Sequence, residues 1–562
     1  MIQSDRIDHD KGMVRNILFV MYDQLRHDYL GCAGHPHLKT PNFDRLAGMG
    51  VRFSRAYVQS PVCGASRMSF YTGRYVSSHG AAYNNYPLKV GELTLGDHLR
   101  QVGVDSWLIG KTHMKADAEG MARLGLAPDS VIGARVAECG FDVWDRDDGL
   151  WSGGPDGLYD TRRSPYNAWL MAQGYPGPNP WQDHANAGVS VDGDILPGWY
   201  LGNSGAAANI REPDSETPWL TRRFVDFLDS PQAQAPWLCH LSYIKPHWPY
   251  IVPEPWASLY GPDHVVPPIR DVRERQNPHP VFGAFMNSRV GQAFARDDIR
   301  NVVIPAYMGL IAQADAEFGR LLDHLEATGR MADTMIVVTS DHGDYLGDHW
   351  MGEKDLFHDP SARIPLIIHD PRAAADATRG TVCDALVESL DLAPTFLQAV
   401  GASVPGHVLE GRSLMPWLHG QMQDWRAAVV SEYDWATSPM AADLGVAPRD
   451  SRLFMVFDGR WKLMHAEGGF RPMLFDLRDD PQELADLGDS ADHAPEIARM
   501  YGLLHAWALR MAQRTTVSDA QVLARRQGSG DRVGVLIGAP TEAAVDADVA
   551  AMFRGKAQAR FV

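Results

Sequence analysis

The sequence predicts an α/β fold with a large mixed, mostly parallel sheet flanked by helices, followed by a smaller antiparallel sheet with a helix. Three observations support this prediction. Short, wholly apolar runs such as 16–22 and 334–339 are typical of strands buried on both faces. Helical stretches lie between these runs, as in βαβ units. From about Trp425 the apolar runs become shorter and turn residues separate them, which favours antiparallel hairpins.

The first predicted βαβ unit begins with the strand 16–22. Pro41 can occupy the first turn of the following helix without losing a hydrogen bond, Gly50 ends that helix, and residues 51–53 begin the next strand. Cys63 then precedes an apolar, helix-compatible run. Further strands are predicted at 105–110, 237–243, 334–339 and 364–368, and further helices at 95–102, 219–228, 307–328 and 387–401.

The C-terminal part has a different pattern. Asp458-Gly459 is a strong hairpin signal between two short apolar runs, and residues 495–514 have the apolar stripe of a helix. We therefore predict a catalytic α/β domain over 14–424, an α+β subdomain over 425–514 and an extension over 515–562. The extension is rich in Ala, Gly and Asp, and it is either disordered or in contact with a neighbouring subunit.

Composition and charge narrow the function. The chain has 562 residues, of which 45% are hydrophobic and 22% are charged, the proportions of a globular protein. Its formal net charge is -18, and no basic stripe offsets this charge, so nucleic acid is excluded as a partner. An anionic ligand would need a local positive pocket within this negative protein.

Cysteine usage and hydropathy favour a soluble, cytoplasmic protein. The five cysteines are scattered and contain no CxxC pair, so a disulfide framework is not expected. The first 13 residues are polar and charged, and the apolar run after them is too short for a signal peptide or a membrane span. The cysteines are Cys32, Cys63, Cys139, Cys239 and Cys383.

Cys63 lies in the segment around which we organise the functional prediction. If a helix starts just after Gly64, Cys63 is at its N-terminus, where free N–H groups and the helix dipole favour an anion. Arg67 is then one turn further on the same face. This arrangement suits attack on an anion. The alternative is a small buried cysteine that packs at a strand-to-helix turn.

Acidic side chains follow two of the predicted buried strands. Asp23 and Gln24 come directly after the first strand, and Asp341 and His342 follow the run 334–339. Ligands of open α/β sheets gather at the carboxyl ends of strands. These side chains suit a hard divalent cation such as calcium, magnesium or manganese. Taken alone, Asp23 is also typical of a helix N-cap.

Cations and histidines complete the pattern. Lys111 and His113 follow the strand 105–110 and bring a fixed positive charge and a titratable group to the same edge. His247 lies between two prolines after the strand 237–243, where a plain turn histidine is the alternative. Lys354 lies on a loop rich in Gly and His.

Cys63-Gly64-Ala65-Ser66-Arg67 with the trailing Thr72-Gly73-Arg74 resembles the Cys-x-Pro/Ala-x-Arg motif of the sulfatase family. The other motifs occur in the family's order, and the resemblance extends to about Arg514. It implies an alkaline phosphatase-like fold. Gln24, Thr112 and His342 resemble the family's phosphonate monoester hydrolase and phosphodiesterase branch.

The resemblance also implies cofactors. In the family a formylglycine-generating enzyme oxidises the cysteine, and the hydrated aldehyde is the nucleophile. It implies one divalent metal ion, Mn²⁺, Ca²⁺ or Mg²⁺, held by these residues: Asp23, Gln24, Asp341, His342 and modified Cys63.

The remaining roles follow from the same resemblance. Arg67 and Lys111 would hold the alkoxide and the anionic oxygens of the substrate. Lys354 and His247 are candidates to protonate the leaving oxygen, and His113 is the candidate base that restores the aldehyde. Two substrate-binding residues are expected: Thr112, with a hydroxyl for a phosphoryl oxygen, and Asn84.

We therefore predict a metal-dependent formylglycine hydrolase of phosphonate monoesters and phosphodiesters, with promiscuous sulfatase activity on small anionic esters. A homo-oligomer, dimer or tetramer, is expected, without a membrane partner. One alternative is an arylsulfatase or a choline-sulfatase-like enzyme. Another is a non-catalytic sulfatase-like binding protein with unmodified Cys63, against which the intact metal set argues.

Overall fold

The structure is a computed structural model that describes residues 13–149, 164–421, 424–510, 515–528 and 539–553. The chain divides into two compact units. The first contains the described residues up to Val404 together with Glu410–Arg510, and the second contains Pro405–Leu409 and the described residues after Arg510. The boundaries at 424 and 514 stay predictions, and residues 511–514 and parts of the extension lie outside the described residues.

A mixed, mostly parallel sheet forms the centre of the first unit. It has nine strands within the described residues. In chain order they are β1 Asn16–Tyr22, β2 Val51–Tyr57, β3 Asp105–Gly110, β4 Asp142–Arg146, β5 Trp237–Tyr243, β6 Thr334–Ser340, β7 Arg363–Ile364, β8 Leu366–His369 and β9 Thr381–Glu388.

The strand order is β7–β2–β8–β6–β1–β5–β3–β4, and β9 also pairs with β2. β1 lies parallel to both β6 and β5, and β3 is parallel to β5 and β4. β8 is antiparallel to β6 and to β2. All residues of β1, β5 and β6 are buried, which explains their uninterrupted apolar runs.

Helices flank this sheet. The principal ones are α1 Pro41–Met49, α2 Cys63–Thr72, α3 Leu95–Arg100, α4 Glu216–Leu228, α5 Asp297–Ala327, α6 Leu392–Ala399 and α7 Ala494–Leu509. Shorter helices are Val76–His79, Ala118–Leu124, Val131–Ala137, Pro165–Ala172, Pro280–Met286, Arg289–Phe294, Asp359–Ala362, Met415–Leu418 and Pro439–Asp443. None of the helices in the described part of the chain is both long enough and apolar enough to span a membrane.

A separate antiparallel sheet follows, as predicted. Its order is β10–β11–β12–β13, and these four strands of the described chain are β10 Val429–Asp434, β11 Arg452–Phe457, β12 Trp461–Ala466 and β13 Met473–Asp476. The predicted fold class is therefore confirmed. The second unit contains the helices Asp519–Gly528 and Ala547–Phe553.

Two predicted helices have different bounds in the structure. α5 begins at Asp297, ten residues before the predicted start, and continues through Pro305 because buried packing outweighs the lost hydrogen bond. Residues 387 and 388 were predicted as helical but belong to β9. Val387 pairs with Ala56 of β2, so sheet pairing decides its conformation.

Candidate active site

The carboxyl ends of β1 and β6 bring the predicted metal ligands together. The two strands are parallel neighbours with Tyr22 opposite Ser340, so the residues that follow each strand emerge side by side. The backbone N–H of Gln24 donates to Asp341 Oδ1 at 3.1 Å. Asp23, Gln24, Asp341 and His342 are all fully buried.

Cys63 is the first residue of α2, two positions earlier than the sequence prediction placed the helix start. Its Sγ lies 3.0 Å from His342 Nε2 and 3.9 Å from Asp23 Oδ1. The sulfur therefore faces the strand-end ligands from a helix N-terminus, as the sequence predicted.

Asn84 holds this helix start in place. Its Oδ1 accepts the backbone N–H of Gly64 at 2.8 Å, and a Cβ at position 64 would lie only 3.0 Å from the same oxygen. Glycine at 64 therefore permits the close approach. The Asn84 oxygen supports the nucleophile's helix, and a contact between Asn84 and substrate stays a prediction.

Four side chains form a donor set that fits a divalent ion. The ligating atoms of Asp23, Cys63, Asp341 and His342 all lie within 4.8 Å of one another. His342 Nδ1 lies 2.9 Å from the Gly343 carbonyl oxygen, and an N–H there leaves Nε2 free as a ligand atom. Two carboxylates and an imidazole are suitable ligands for a divalent metal.

Gln24 is oriented as a fifth donor. Its Nε2 donates to Asp344 Oδ2 at 2.5 Å and to the Tyr250 hydroxyl at 3.0 Å. Because both amide hydrogens are used there, Oε1 is the atom directed to the other side, where it accepts from Lys354 Nζ at 3.2 Å. Sequence reasoning missed Asp344 and Tyr250, although Asp344 belongs to the acidic run after β6.

Arg67 and Lys111 neutralise the two carboxylates. Arg67 Nε donates to Asp341 Oδ2 at 2.7 Å and Nη2 to Asp23 Oδ2 at 3.2 Å, while Lys111 Nζ donates to the same Asp23 oxygen at 2.5 Å. Arg67 Nη1 also donates to the Lys111 carbonyl and to Ser242 Oγ, both at 2.8 Å. Arg67 thus holds both acidic ligands in place, and its predicted contact with substrate oxygens stays a prediction.

Lys354 and His247 are two further groups near the sulfur. Lys354 Nζ is 3.3 Å from Cys63 Sγ and 3.2 Å from His247 Nε2. His247 Nδ1 lies 2.8 Å from the Trp248 carbonyl oxygen, to which its N–H can donate. Burial and the Lys354 charge lower the pKa of His247 to about 4, so its Nε2 is an acceptor for Lys354.

The charges around Cys63 favour a nucleophile. Burial alone would raise the pKa of the Cys63 thiol, but Lys354, His342 and Lys111 outweigh it and lower the pKa well below its usual value. His113 contributes to the same lowering. The site therefore supplies the local positive pocket that the negative net charge of the chain required.

Thr112 has a buried partner that the sequence did not predict. Its hydroxyl donates to Glu138 Oε2 at 2.6 Å and the side chain is fully buried. Arg146 Nη1 donates to the other oxygen of Glu138 at 2.6 Å. In this structure the Thr112 hydroxyl donates its hydrogen bond to a buried carboxylate, and its predicted contact with substrate stays a prediction.

His113 follows at the edge of the site. Its backbone φ of 53° lies in the left-handed region, which is strained for a histidine, and its N–H is 3.5 Å from Asp148 Oδ1. Among the described residues, its buried Nδ1 has no hydrogen-bond partner. The His113 side chain also approaches Cys63 closely enough to lower the pKa of the thiol, and its role as the base stays a prediction.

Comparison with known proteins gives consistent results. The family model "Sulfatase" matches residues 15–402, and the model "N-sulphoglucosamine sulphohydrolase, C-terminal" matches residues 347–508. The multifunctional alkaline phosphatase superfamily protein PehA of Trinickia caryophylli is 29% identical over 527 residues, covering 89% of this chain and 96% of PehA. An arylsulfatase of Clostridium perfringens is 26% identical over 501 residues, covering 86% and 92%.

A solved structure agrees with these relatives. The phosphonate monoester hydrolase SpPMH from Silicibacter pomeroyi has a TM-score of 0.76 and 28% identity, covering 90% of this chain and 98% of that one. Fold, donor set and relatives together define an ester-bond hydrolase of the alkaline phosphatase superfamily. Within that superfamily, the chain belongs to the sulfatase family.

Proposed function

We propose that the protein hydrolyses phosphonate monoesters and phosphodiesters with a nucleophile derived from Cys63, and that sulfate monoesters are slower substrates. The observation that carries the proposal is the position of Cys63 Sγ, 3.0 Å from His342 Nε2 and 3.3 Å from Lys354 Nζ. The likeness to PehA and to SpPMH supports the choice of phosphorus esters.

Residue 63 as formylglycine would supply the attacking hydroxyl, and Asp23, Gln24, Asp341 and His342 would hold a divalent ion beside it. When bound, such an ion lowers the pKa of a coordinated hydroxyl and so favours the nucleophile. Arg67 and Lys111 hold the two carboxylates in place, since Arg67 donates to Asp341 and Lys111 to Asp23. Mn²⁺, Ca²⁺ and Mg²⁺ all suit these donors.

Lys354 is the residue placed to assist departure of the alcohol or phenol. Burial would lower the pKa of Lys354, but the charges of Cys63, Glu353, Asp23 and Asp341 raise the pKa overall. The three carboxylates remain when residue 63 is formylglycine, so Lys354 is proposed to carry its proton there. A buried ammonium can donate a hydrogen bond to the leaving oxygen as negative charge develops there. His247 accepts from Lys354 and orients it, rather than donating a proton itself.

His113 is the proposed base for the step that restores the aldehyde. It lies beside Cys63, and its Nδ1 is unpartnered among the described residues. That step breaks a C–O bond and requires no second attack on phosphorus, so one site can accept phosphorus and sulfur esters. Maturation by a formylglycine-generating enzyme, a cytoplasmic location and assembly into a dimer or tetramer stay predictions.

A sulfatase with aryl or choline sulfate as its main substrate is the second candidate. The family match and the Clostridium perfringens arylsulfatase favour it. A phosphodiester and a sulfate monoester both carry a single negative charge, so the charge of the site does not separate the two. Because the chain is an ester-bond hydrolase, the non-catalytic alternative is not retained.

The test combines peptide mass spectrometry of residue 63 with kcat/KM for an aryl phosphonate monoester, a phosphodiester and a sulfate. We expect conversion of the thiol to an aldehyde, and the highest kcat/KM for the two phosphorus esters. Cys63→Ala should abolish turnover, and Cys383→Ala, at a half-buried cysteine of β9, is the matched control. Full activity of Cys63→Ala would contradict the nucleophile, and sulfate as the best substrate would favour the second candidate.

A further inference from the structure

The residues around Cys63 differ in exposure, and this shows where the site opens. Cys63 is 1% exposed and the strand-end ligands are fully buried. Tyr83, Asn84, His113 and Asp355 are only half-buried. We call Tyr83, Asp355 and Tyr433 the rim: Tyr83 and Asp355 are half-buried, and Tyr433, which is 1% exposed, contacts both of them.

Asp355 directly follows Lys354, whose Nζ is 3.3 Å from Cys63 Sγ. Its Oδ1 accepts from the Tyr433 hydroxyl at 2.8 Å. Its hydrogen-bond partner is therefore a phenol, and the ammonium of Lys354 acts on this carboxylate through its charge. Burial raises the pKa of Asp355, and the Tyr433 hydrogen bond and the positive charges of Lys354 and His342 oppose that rise without cancelling it.

Two aromatic rings accompany this carboxylate. The rings of Tyr83 and Tyr433 are stacked, with centroids 6.1 Å apart and an angle of 27° between their planes. Burial and the charge of Asp355 raise the pKa of Tyr83 to about 12, so the carboxylate lies close to both phenols. A carboxylate beside tyrosine rings is the chemistry that attracts an ammonium ion.

The backbone at Asp355 is held in an unfavourable conformation. Its φ is 100°, and the φ of Glu353 is 56°, both in the region that favours glycine. Non-glycine residues persist there only where the surrounding structure requires it, and such residues cluster at functional sites. The strain supports a functional reason for an aspartate at this position.

We propose that Asp355, Tyr83 and Tyr433 bind an ammonium group carried by the leaving alcohol or phenol of the ester. Asp355 directly follows Lys354, which we propose to assist the leaving oxygen, so the ammonium group is assigned to the leaving alcohol or phenol and not to the rest of the ester. The inference rests on the proposed ester hydrolysis and names its preferred substrate class: anionic esters whose leaving arm is positively charged.

The test uses two phenylphosphonate monoesters of the same shape. One has para-(trimethylammoniomethyl)phenol as its leaving group and the other has para-neopentylphenol, so they differ by one positive charge. kcat/KM is measured for both esters with the wild type, with Asp355→Asn and with Asp434→Asn. Asp434 is half-buried at the end of the same strand as Tyr433, and its carboxylate accepts from the Ala436 N–H, so it is the matched control.

We expect the ratio of the cationic to the neutral ester to fall about tenfold in Asp355→Asn, the size of one favourable charge contact. The ratio should stay at the wild-type value in Asp434→Asn. Comparing ratios removes differences in leaving-group reactivity and in the converted fraction of residue 63.

An equal ratio in the wild type and in Asp355→Asn would overturn this inference and leave the proposed hydrolysis intact. An equal fall in both variants would also overturn it, since the effect would then reflect net charge alone. Failure of metal-loaded, formylglycine-verified protein to hydrolyse either ester would overturn the proposed function and this inference with it.

Discussion

The carboxylates of the site have different partners in two regions: the rim, and the group of strand-end residues Asp23 and Asp341 with Arg67 and Lys111, which we call the floor. On the floor, Asp23 and Asp341 accept from Lys111 and Arg67 at 2.5 to 3.2 Å. At the rim, Asp355 accepts from the phenol of Tyr433. The floor carboxylates are paired directly with cations, whereas the rim carboxylate has a phenol as its hydrogen-bond partner.

We therefore expect the floor residues to determine the rate of ester hydrolysis and the rim residues to determine which ester is preferred. The floor residues follow adjacent parallel strands, and strand register determines their spacing. The rim combines the loop at Tyr83, the loop after β6 and a strand of the small sheet, which carries Tyr433. Changes to the floor should therefore affect all esters alike, and changes to the rim should affect the choice between esters.

Asp341→Asn should have the largest effect. It removes a proposed metal ligand and leaves Arg67 without one of its two buried carboxylate partners, at a cost of about 3 kcal/mol. We expect loss of bound metal together with about a thousandfold or greater loss of kcat/KM on every ester. Metal analysis of the purified variant checks this. Unchanged metal content would refute the ligand assignment, and the exposed Asp376→Asn is the control.

Lys354→Met should have the next largest effect. The methionine keeps most of the volume but removes the ammonium, so kcat/KM should fall about a hundredfold for esters of weakly acidic phenols. The fall should be smaller for nitrophenyl esters, whose leaving oxygen requires less stabilisation. A series of aryl esters measures this dependence. If all esters slow equally, Lys354 does not act on the leaving group.

Thr112→Val tests whether a residue next to Lys111 affects all esters equally. The substitution removes one of the hydrogen bonds that Glu138 accepts, worth about 1 kcal/mol, and it loosens the loop between Lys111 and His113. We expect a fall of about fivefold in kcat for phosphonate, phosphodiester and sulfate alike. kcat and KM for the three ester types check this. Selective loss of the phosphorus esters would instead show that Thr112 contacts the substrate.

Glu432→Gln should have the smallest effect, on stability rather than on rate. Glu432 precedes Tyr433, accepts the Ser77 N–H at 3.1 Å, and burial raises its pKa to about 7. The folded protein retains this proton between the usual carboxyl pKa and 7, where the unfolded chain has lost it. The stabilisation is therefore complete at low pH and is lost as the pH rises to about 7.

The wild type should thus lose about 2 kcal/mol more unfolding free energy than Glu432→Gln between pH 5 and pH 8. Denaturant unfolding at both pH values measures the difference. Glu119→Gln, at an exposed position of a surface helix, should behave as the wild type does. Parallel pH dependence of the wild type and Glu432→Gln would rule out the buried carboxyl as the cause.

Much of the floor was predictable from local patterns. Apolar runs that end in Asp23-Gln24 and in Asp341-His342 mark buried strands, and parallel strands present their carboxyl ends at one edge. The pattern around Cys63 predicted a helix start facing that edge, and the helix does begin there. The side-chain partners of Gln24 were not predictable, since Asp344 lies 320 residues away in the chain.

By itself, the sequence determined which strands are buried, where their polar ends lie and which cysteine faces them, because these features depend on neighbouring residues in the chain. Tertiary structure alone decided that Thr112 donates to Glu138 and that Asp355 is bonded by Tyr433. Those partners are 26 and 78 residues apart. Hydrogen bonds across such separations depend on how loops cross the sheet edge, and no local periodicity encodes that path.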